Sequence, residues 1–240
     1  MDRWALHRLS ELIPRVKKSY DDFEFHTIFH ALNNFCSVDL SSIYLDILKD
    51  RLYTFRADSP LRRGSQTVLF EILIAMTKLM APVLSFTAEE IWRTLATQLG
   101  GQLGVSSVHL STFPEAPPQW QDVALAQRWE RLLGYRTQVQ GALEGSRRDK
   151  VIGSSLEAAV ELCADADNYE FLQSYQKDLT TLFIVSQVKL IPSGEAKGPL
   201  AIVAVKSSFG KCERCWNYRD AVGKHADRST LCDRCVEAVQ

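Results

Sequence analysis

The sequence lacks a long apolar run. Its longest candidate, residues 67–80, is interrupted by Glu71 and Lys78 and falls short of the ~20 residues a membrane-spanning helix needs. It also lacks the apolar stretch of a signal peptide, because it opens on Met1-Asp2-Arg3-Trp4. These absences predict a soluble, intracellular chain with no membrane partner. Charge of one sign is missing too: 28 basic residues stand against 29 acidic ones, for a net charge of −1. Net charge therefore announces no nucleic-acid partner, and any basic footprint must be a local patch. Catalytic signatures are scarce: the chain holds no P-loop, no G-x-G-x-x-G and no G-x-S-x-G. His26 and His30 lie four apart, but Thr27 stands where a metalloprotease motif requires Glu, so both read as ordinary helix residues. No catalytic residue is assigned.

What is present is a well-supplied core and six cysteines, with 46% apolar residues over 240 positions. That suffices for one or two cored domains and a small third unit. Residues 1–99 read as a bundle of five amphipathic helices. The first carries Trp4, Leu9, Ile13 and Val16, with a possible kink at Pro14. The second presents Phe25, Ile28, Phe29, Leu32 and Phe35 as its apolar side. Ser41-Ser42 caps a third, Ser59-Pro60 starts a fourth that Pro82 stops, and Thr87 to Glu90 forms a capping box for a fifth. Residues 100–150 read as a Gly- and Pro-rich connector, with an extended piece at Val105–Leu110, and a junction helix from Val123 to Leu143 that Gly145 ends. Residues 151–206 read as a small α/β unit. It has a half-buried strand around Leu156–Leu162, a helix over Asn168–Leu182, and strands at Leu182–Ile191 and Leu200–Val205. The fold class is mainly α. The last segment, 207–240, is too short for a core of its own, since below about 40 residues a metal or disulfides usually substitute for one.

That segment holds Cys212, Cys215, Cys232 and Cys235 in the spacing C-x2-C-x16-C-x2-C. Each C-x-x-C turn puts two thiolates on one side of an ion, and the sixteen-residue excursion closes the tetrahedron. Thiolates suit zinc or iron. Four of them leave no open position for water, so one structural zinc is expected. Cys36 and Cys163 sit in apolar patterns and read as buried core thiols. His225, between the knuckles, is not needed as a ligand and reads as exposed.

Around the cysteines stand Lys211, Arg214, Trp216, Tyr218, Arg219, Lys224, Arg228 and Arg234. Basic residues interleaved with aromatics suit a nucleic-acid backbone and unstacked bases, although five acidic residues share the segment. Trp216 has two readings that the sequence leaves open: a platform for a base, or packing on the knuckle or its neighbour. Arg62-Arg63 at a helix start and Arg147-Arg148-Lys150 in a basic turn are further phosphate candidates.

Several segments, in order, resemble a known family: YLDILKDRLY at 44–53, RRGSQT at 62–67, APVLSFTAEEIW at 81–92, SVHL at 107–110 with Phe113-Pro114, KVIGSSLEA at 150–158, KCERCW at 211–216 and LCDRCV at 231–236. Together they are similar to the C-terminal third of the isoleucyl-tRNA synthetases, which are class I aminoacyl-tRNA synthetases. A similar finger closes the formamidopyrimidine-DNA glycosylases, but here it follows a helical bundle and the N-terminal proline nucleophile is missing. The resemblance implies that the bundle at 1–99 binds an anticodon. It also implies that the bundle, the junction and the zinc finger together hold the anticodon arm of isoleucine tRNA. On that reading the basic residues Arg62, Arg63, Arg147, Arg148, Lys211 and Arg214 are the expected phosphate contacts, and Trp216 is expected to stack on a base. The family's catalytic and editing domains have no counterpart in the sequence. The chain thus resembles a fragment of an ATP-dependent ligase, inactive alone, monomeric and cytoplasmic, with those domains of its parent chain as partners. The alternative is a zinc unit that braces the bundle without touching RNA. A duplex-DNA-binding zinc protein and a free-standing enzyme fit less well.

Overall fold

The computed structural model describes residues 1–193 and 200–240. The chain divides into two compact units: Met1–Asp46 with Pro60–Gln127, and Ile47–Ser59 with Arg128–Gln240. Among the described residues the architecture is mainly helical with two small sheets and a four-cysteine cluster. No described helix is long and apolar enough to cross a membrane.

The first unit is built on α1 (Asp2–Asp21), which packs against α2 (Phe25–Asn34) and α4 (Pro60–Met80), while α4 also packs against α5 (Ser85–Gln98). Leu9, Ile13 and Val16 recur at helical spacing and are buried, so one stripe of α1 supplies the core. Pro14 lies inside that helix without ending it. On α2 the buried stripe is Ile28, Ala31 and Leu32, continued by Phe35. Phe25 and Phe29, expected on that stripe, are exposed. A full apolar side would need burial on a wider arc than α1 covers.

Ser41-Ser42 does not cap a helix. A π-helical stretch, Phe35–Leu45, runs directly into α3 (Asp46–Thr54). The Ser42 hydroxyl donates to the Ser37 carbonyl, five residues back, at 2.7 Å, a partner that the wide π turn supplies. The fourth helix does begin at Pro60, where the missing N–H costs nothing.

Thr87 to Glu90 is not a capping box either, because α5 begins at Ser85 and has no side-chain cap. Glu89 instead ties down the connector: its carboxylate accepts from the Ser107 hydroxyl at 2.8 Å, the Val108 N–H at 3.1 Å and Arg93 Nε at 3.1 Å. The connector residues expected to be extended form a 3₁₀ turn at Val108–Leu110. Val108 is drawn into a cluster with Ala81, Ala88 and Trp92. The Ser107 hydrogen bond, then those from Val108 and Arg93, hold the Glu89 carboxyl below its usual range. A depressed acid contributes stability that is present at neutral pH and lost as pH falls through the folded-state value. The variant Glu89→Gln is therefore expected to melt below wild type at pH 7 and to converge with it under acid conditions. Thermal melts from pH 7 to pH 3 check this, and a gap that stays constant to pH 3 would contradict it.

The helix α6 (Val123–Arg148), which belongs to the second unit from Arg128 onward, continues past Leu143 and through Gly145. It ends where Lys150 turns left-handed at φ 59°, with the Val151 N–H on the Ser146 carbonyl at 2.9 Å. The basic residues Arg147 and Arg148 thus lie in the last helical turn. Three strands form a sheet of order β2-β1-β3, with β1 at Ala158–Ala164, β2 at Gln187–Pro192 and β3 at Leu200–Lys206. β1 pairs parallel with β2 from Ala159↔Gln187 and antiparallel with β3 from Ala158↔Lys206. Ala158, Val160, Leu162 and Ala164 are buried in strict alternation, as the period-two pattern requires. Cys163 falls on the other face and is only half-buried, and Cys36 is exposed; neither is a core thiol.

The helix expected over Asn168–Leu182 is two helices, α7 (Ala166–Ser174) and α8 (Gln176–Phe183). Asp165 caps α7 by accepting the Asn168 N–H at 2.9 Å. Ile184, left-handed at φ 56°, ends α8, which is why β2 starts at Gln187 rather than at Leu182.

Candidate metal centre and nucleic-acid interface

The cysteines are presented by two unlike turns. In the first, β4 (Gly210–Lys211) and β5 (Tyr218–Arg219) form a short antiparallel ladder. Cys212 and Cys215 lie in the loop between them. Trp216 closes that loop with a left-handed backbone at φ 61°, and its N–H donates to the Cys212 carbonyl at 2.8 Å. Buried Asn217 returns its side-chain N–H to the Cys215 carbonyl at 3.1 Å. Space is tight at Gly210: a Cβ there would sit 3.0 Å from the Val222 side chain, which would have to give by a few tenths of an ångström. In the second turn, Cys232 precedes α9 (Asp233–Ala238) and Cys235 lies within it.

The four Sγ atoms lie within 4.8 Å of one another, and all four residues are buried. Cys215 and Cys232 Sγ are 3.7 Å apart, near the ~3.8 Å edge of a tetrahedron built on metal–sulfur bonds of about 2.3 Å. Val222 and Leu231 pack against the cluster as partly buried apolar neighbours. Burial opposes ionisation of Cys212, but the backbone N–H groups of Cys215, Cys232 and Arg214 outweigh it and bring that thiol to about 7. Cys232 and Cys235 move the other way, pushed up by burial and then by the charge on neighbouring cysteines. Four thiolates cannot coexist there without a cation, so the donor set fits a metal ion.

Around this centre the basic residues separate into two groups. Lys211 and Trp216 face outward: Trp216 is 61% exposed, and Lys211 Nζ stands 5.9 Å from its ring centroid, in cation–π range. The Trp216 ring is therefore not buried against the knuckle. Arg214 faces inward, its Nη1 donating to the Thr54 carbonyl and lying 3.6 Å from Cys235 Sγ. Arg234 joins it. It grips Asp50 with Nη1 at 2.5 Å and Nη2 at 2.7 Å, reaches Thr54 Oγ1 at 3.2 Å and lies 4.6 Å over the Phe55 ring. The sequence reading missed Asp50, Thr54 and Phe55 as partners of the finger. No local signal joins residues some 180 positions apart. His225 is half-buried and lies 2.6 Å from Asp233. His26 and His30 are exposed on α2.

Arg147 and Arg148 close α6. Arg147 pairs with Glu144 and donates to the Ser155 hydroxyl at 2.9 Å, while Arg148 is 82% exposed, with Asp149 at 4.0 Å. Arg62 and Arg63 lie in the first turn of α4, in the first unit, where Arg63 donates to Gln66 at 3.1 Å. An open cleft of about 590 Å³, lined by Gln187, Phe209, Tyr218, Arg219, Lys224 and Arg234 among others, flanks the second knuckle.

The sequence profile of the anticodon-binding domain of tRNA ligases matches residues 2–162. The chain belongs to that family. A second profile, the zinc finger found in FPG and IleRS, matches residues 209–238 and so takes in both knuckles. Similar proteins include the isoleucine–tRNA ligase of Geobacter sulfurreducens, 45% identical over all of this chain and 26% of the relative. That of Syntrophotalea carbinolica is 48% identical over 98% of this chain and 26% of the relative. That of Moorella thermoacetica is 43% identical over all of this chain and 27% of the relative. The chain spans about a quarter of the length of these relatives. It thus carries an anticodon-binding domain of the tRNA ligase family, followed by a zinc finger of the kind found in FPG and IleRS.

Proposed function

We propose that this region holds the anticodon arm of isoleucine tRNA, while ATP-dependent aminoacylation and editing are carried out by other domains of a longer, monomeric, cytoplasmic ligase. One structural zinc ion would be held by Cys212, Cys215, Cys232 and Cys235. Its contribution there is folding free energy, not chemistry on a substrate. The observation that carries the RNA reading is Trp216. A large aromatic 61% exposed beside a ligand cysteine, with Lys211 against its ring, is what a stacked, unpaired base needs. Arg62, Arg63, Arg147, Arg148 and Lys211 are the proposed phosphate contacts. Arg214 is the weakest member of that set, because Nη1 already serves Thr54 and Cys235.

The bracing alternative also has an observation in its favour, the bidentate Arg234–Asp50 pair. The two readings divide by residue: Arg214 and Arg234 brace, and Lys211 and Trp216 touch RNA. Replacing Trp216 by Ala is expected to weaken binding of isoleucine tRNA by about 1–3 kcal/mol, roughly 5- to 150-fold, with zinc content unchanged. Wild-type affinity should also fall steeply as salt rises. Unchanged tRNA affinity in Trp216→Ala, with zinc retained, would leave bracing as the role of the finger.

A further inference from the structure

Metal knuckles are commonly treated as self-contained, since four ligands fix their own geometry. Here the finger reaches beyond itself to α3. Arg214 bridges a ligand sulfur and a helix end: one nitrogen faces both Cys235 Sγ and the Thr54 carbonyl. Thr54 is the last residue of α3, and the final carbonyls of a helix have no intrahelical partner. Arg234, next to Cys235 in sequence, makes a fork onto Asp50 one turn earlier and also reaches Thr54 Oγ1. The Thr54 hydroxyl returns to Asp50, donating to Oδ1 at 2.7 Å. The last turn of α3 and the second knuckle thus share one hydrogen-bonded ring, and Phe55 closes it with its face under the Arg234 guanidinium.

Asp50 is the one carboxylate in that ring. A planar fork matched to a carboxylate fixes orientation as well as proximity. Without it, Arg234 would be a partly buried cation left beside Cys215, with no carboxylate to fix the plane of its guanidinium. We propose that Asp50 is a positioning residue for the metal knuckle and that zinc binding and the last turn of α3 are thermodynamically coupled through Arg234 and Arg214. The inference rests on the reading of the four cysteines as a zinc site, and it makes no use of RNA. Coupling is reciprocal: metal orders the end of α3, and Asp50 raises the affinity for metal. Groups that hold a ligand set from outside typically contribute 10–100-fold in metal affinity.

The test uses the whole chain. Zinc affinity is measured by competition with a chromophoric chelator for wild type, for Asp50→Asn, and for the charge exchange Asp50→Arg with Arg234→Asp. Backbone hydrogen exchange at residues 51–55 is followed in wild type with zinc and after chelation. Asp50→Asn is expected to bind zinc about tenfold more weakly, and the exchanged pair to regain most of that loss. Chelation is expected to speed exchange at 51–55 at least tenfold while α4 is unaffected. Wild-type zinc affinity in Asp50→Asn, or exchange at 51–55 that ignores the metal, would overturn the proposal. The exchange arm needs no variant, so it decides even where Asp50→Asn fails to fold. A wild-type chain that takes up no zinc would overturn the zinc reading itself, whereas uptake of one zinc without coupling would overturn this inference alone.

Discussion

Stripping zinc from the chain is expected to unfold residues 207–240 while the helices of the first unit stay folded. The centre of that segment is the four cysteines themselves, with Val222 and Leu231 as their partly buried apolar neighbours. So little apolar area cannot offset the conformational entropy of some thirty residues, at about 1–2 kcal/mol each for the backbone alone. A structural zinc in such a unit supplies about 10–16 kcal/mol at neutral pH, comparable with the entire ~5–15 kcal/mol stability of a typical domain. The same result is expected from Cys235→Ser, because three thiolates and a hydroxyl no longer match the ion. Limited proteolysis with and without chelator checks it, with cuts appearing between the two knuckles as the metal leaves. Equal protease resistance in both states would mean that the cysteine cluster folds by another route.

The second large effect is expected in the first unit, at Trp92. Its side chain is 1% exposed and packs with Ala81, Ala88 and Val108. Its indole N–H donates to the Val105 carbonyl at 3.2 Å, and Lys78 Nζ lies 5.8 Å over the ring. Trp92→Ala removes all of these at once and leaves a cavity that two alanines and a valine cannot fill. The expected loss is about 3–5 kcal/mol, read as the shift in the urea midpoint. Trp92→Phe keeps most of the ring but drops the hydrogen bond to the connector, and is expected to lose less. A loss under about 1 kcal/mol in Trp92→Ala would show that the connector does not depend on this ring. The pair Glu89 and Trp92 also explains why residues 105–110 are ordered despite their loop-like composition: one helix holds them by a carboxylate and by an indole, three residues apart on one face.

Apolar periodicity marked α1 and α4 and the alternation of β1, because burial on one side imposes a repeat that can be counted along the chain. Proline at a helix start was equally legible at Pro60. The cysteine spacing named all four residues of the cluster, since a tetrahedron of thiolates tolerates few arrangements of two short turns. Side-chain capping was less legible. Ser41-Ser42 and Thr87 to Glu90 carry capping residues, yet a π-helical stretch absorbed the first and a connector captured the second through Glu89. A hydroxyl or carboxylate goes to the best partner within reach, and that partner need not be its own backbone. The breaks at Tyr175 and Ile184, and the run of α6 through Gly145, follow from packing and left-handed turns that composition does not announce.

By itself, then, the sequence determined the helical class, the four cysteines and the family, since each is written in residue type and spacing. Only the tertiary structure decided which cations near the cysteines face outward and which are used internally. Lys211, Arg214 and Arg234 are alike as positive charges in a basic segment. What separates them is Asp50 and Thr54, residues of α3 that lie some 160–180 positions away along the chain and within hydrogen-bond reach once it is folded. Charge is a property of the residue, whereas pairing depends on which distant group the fold brings to it.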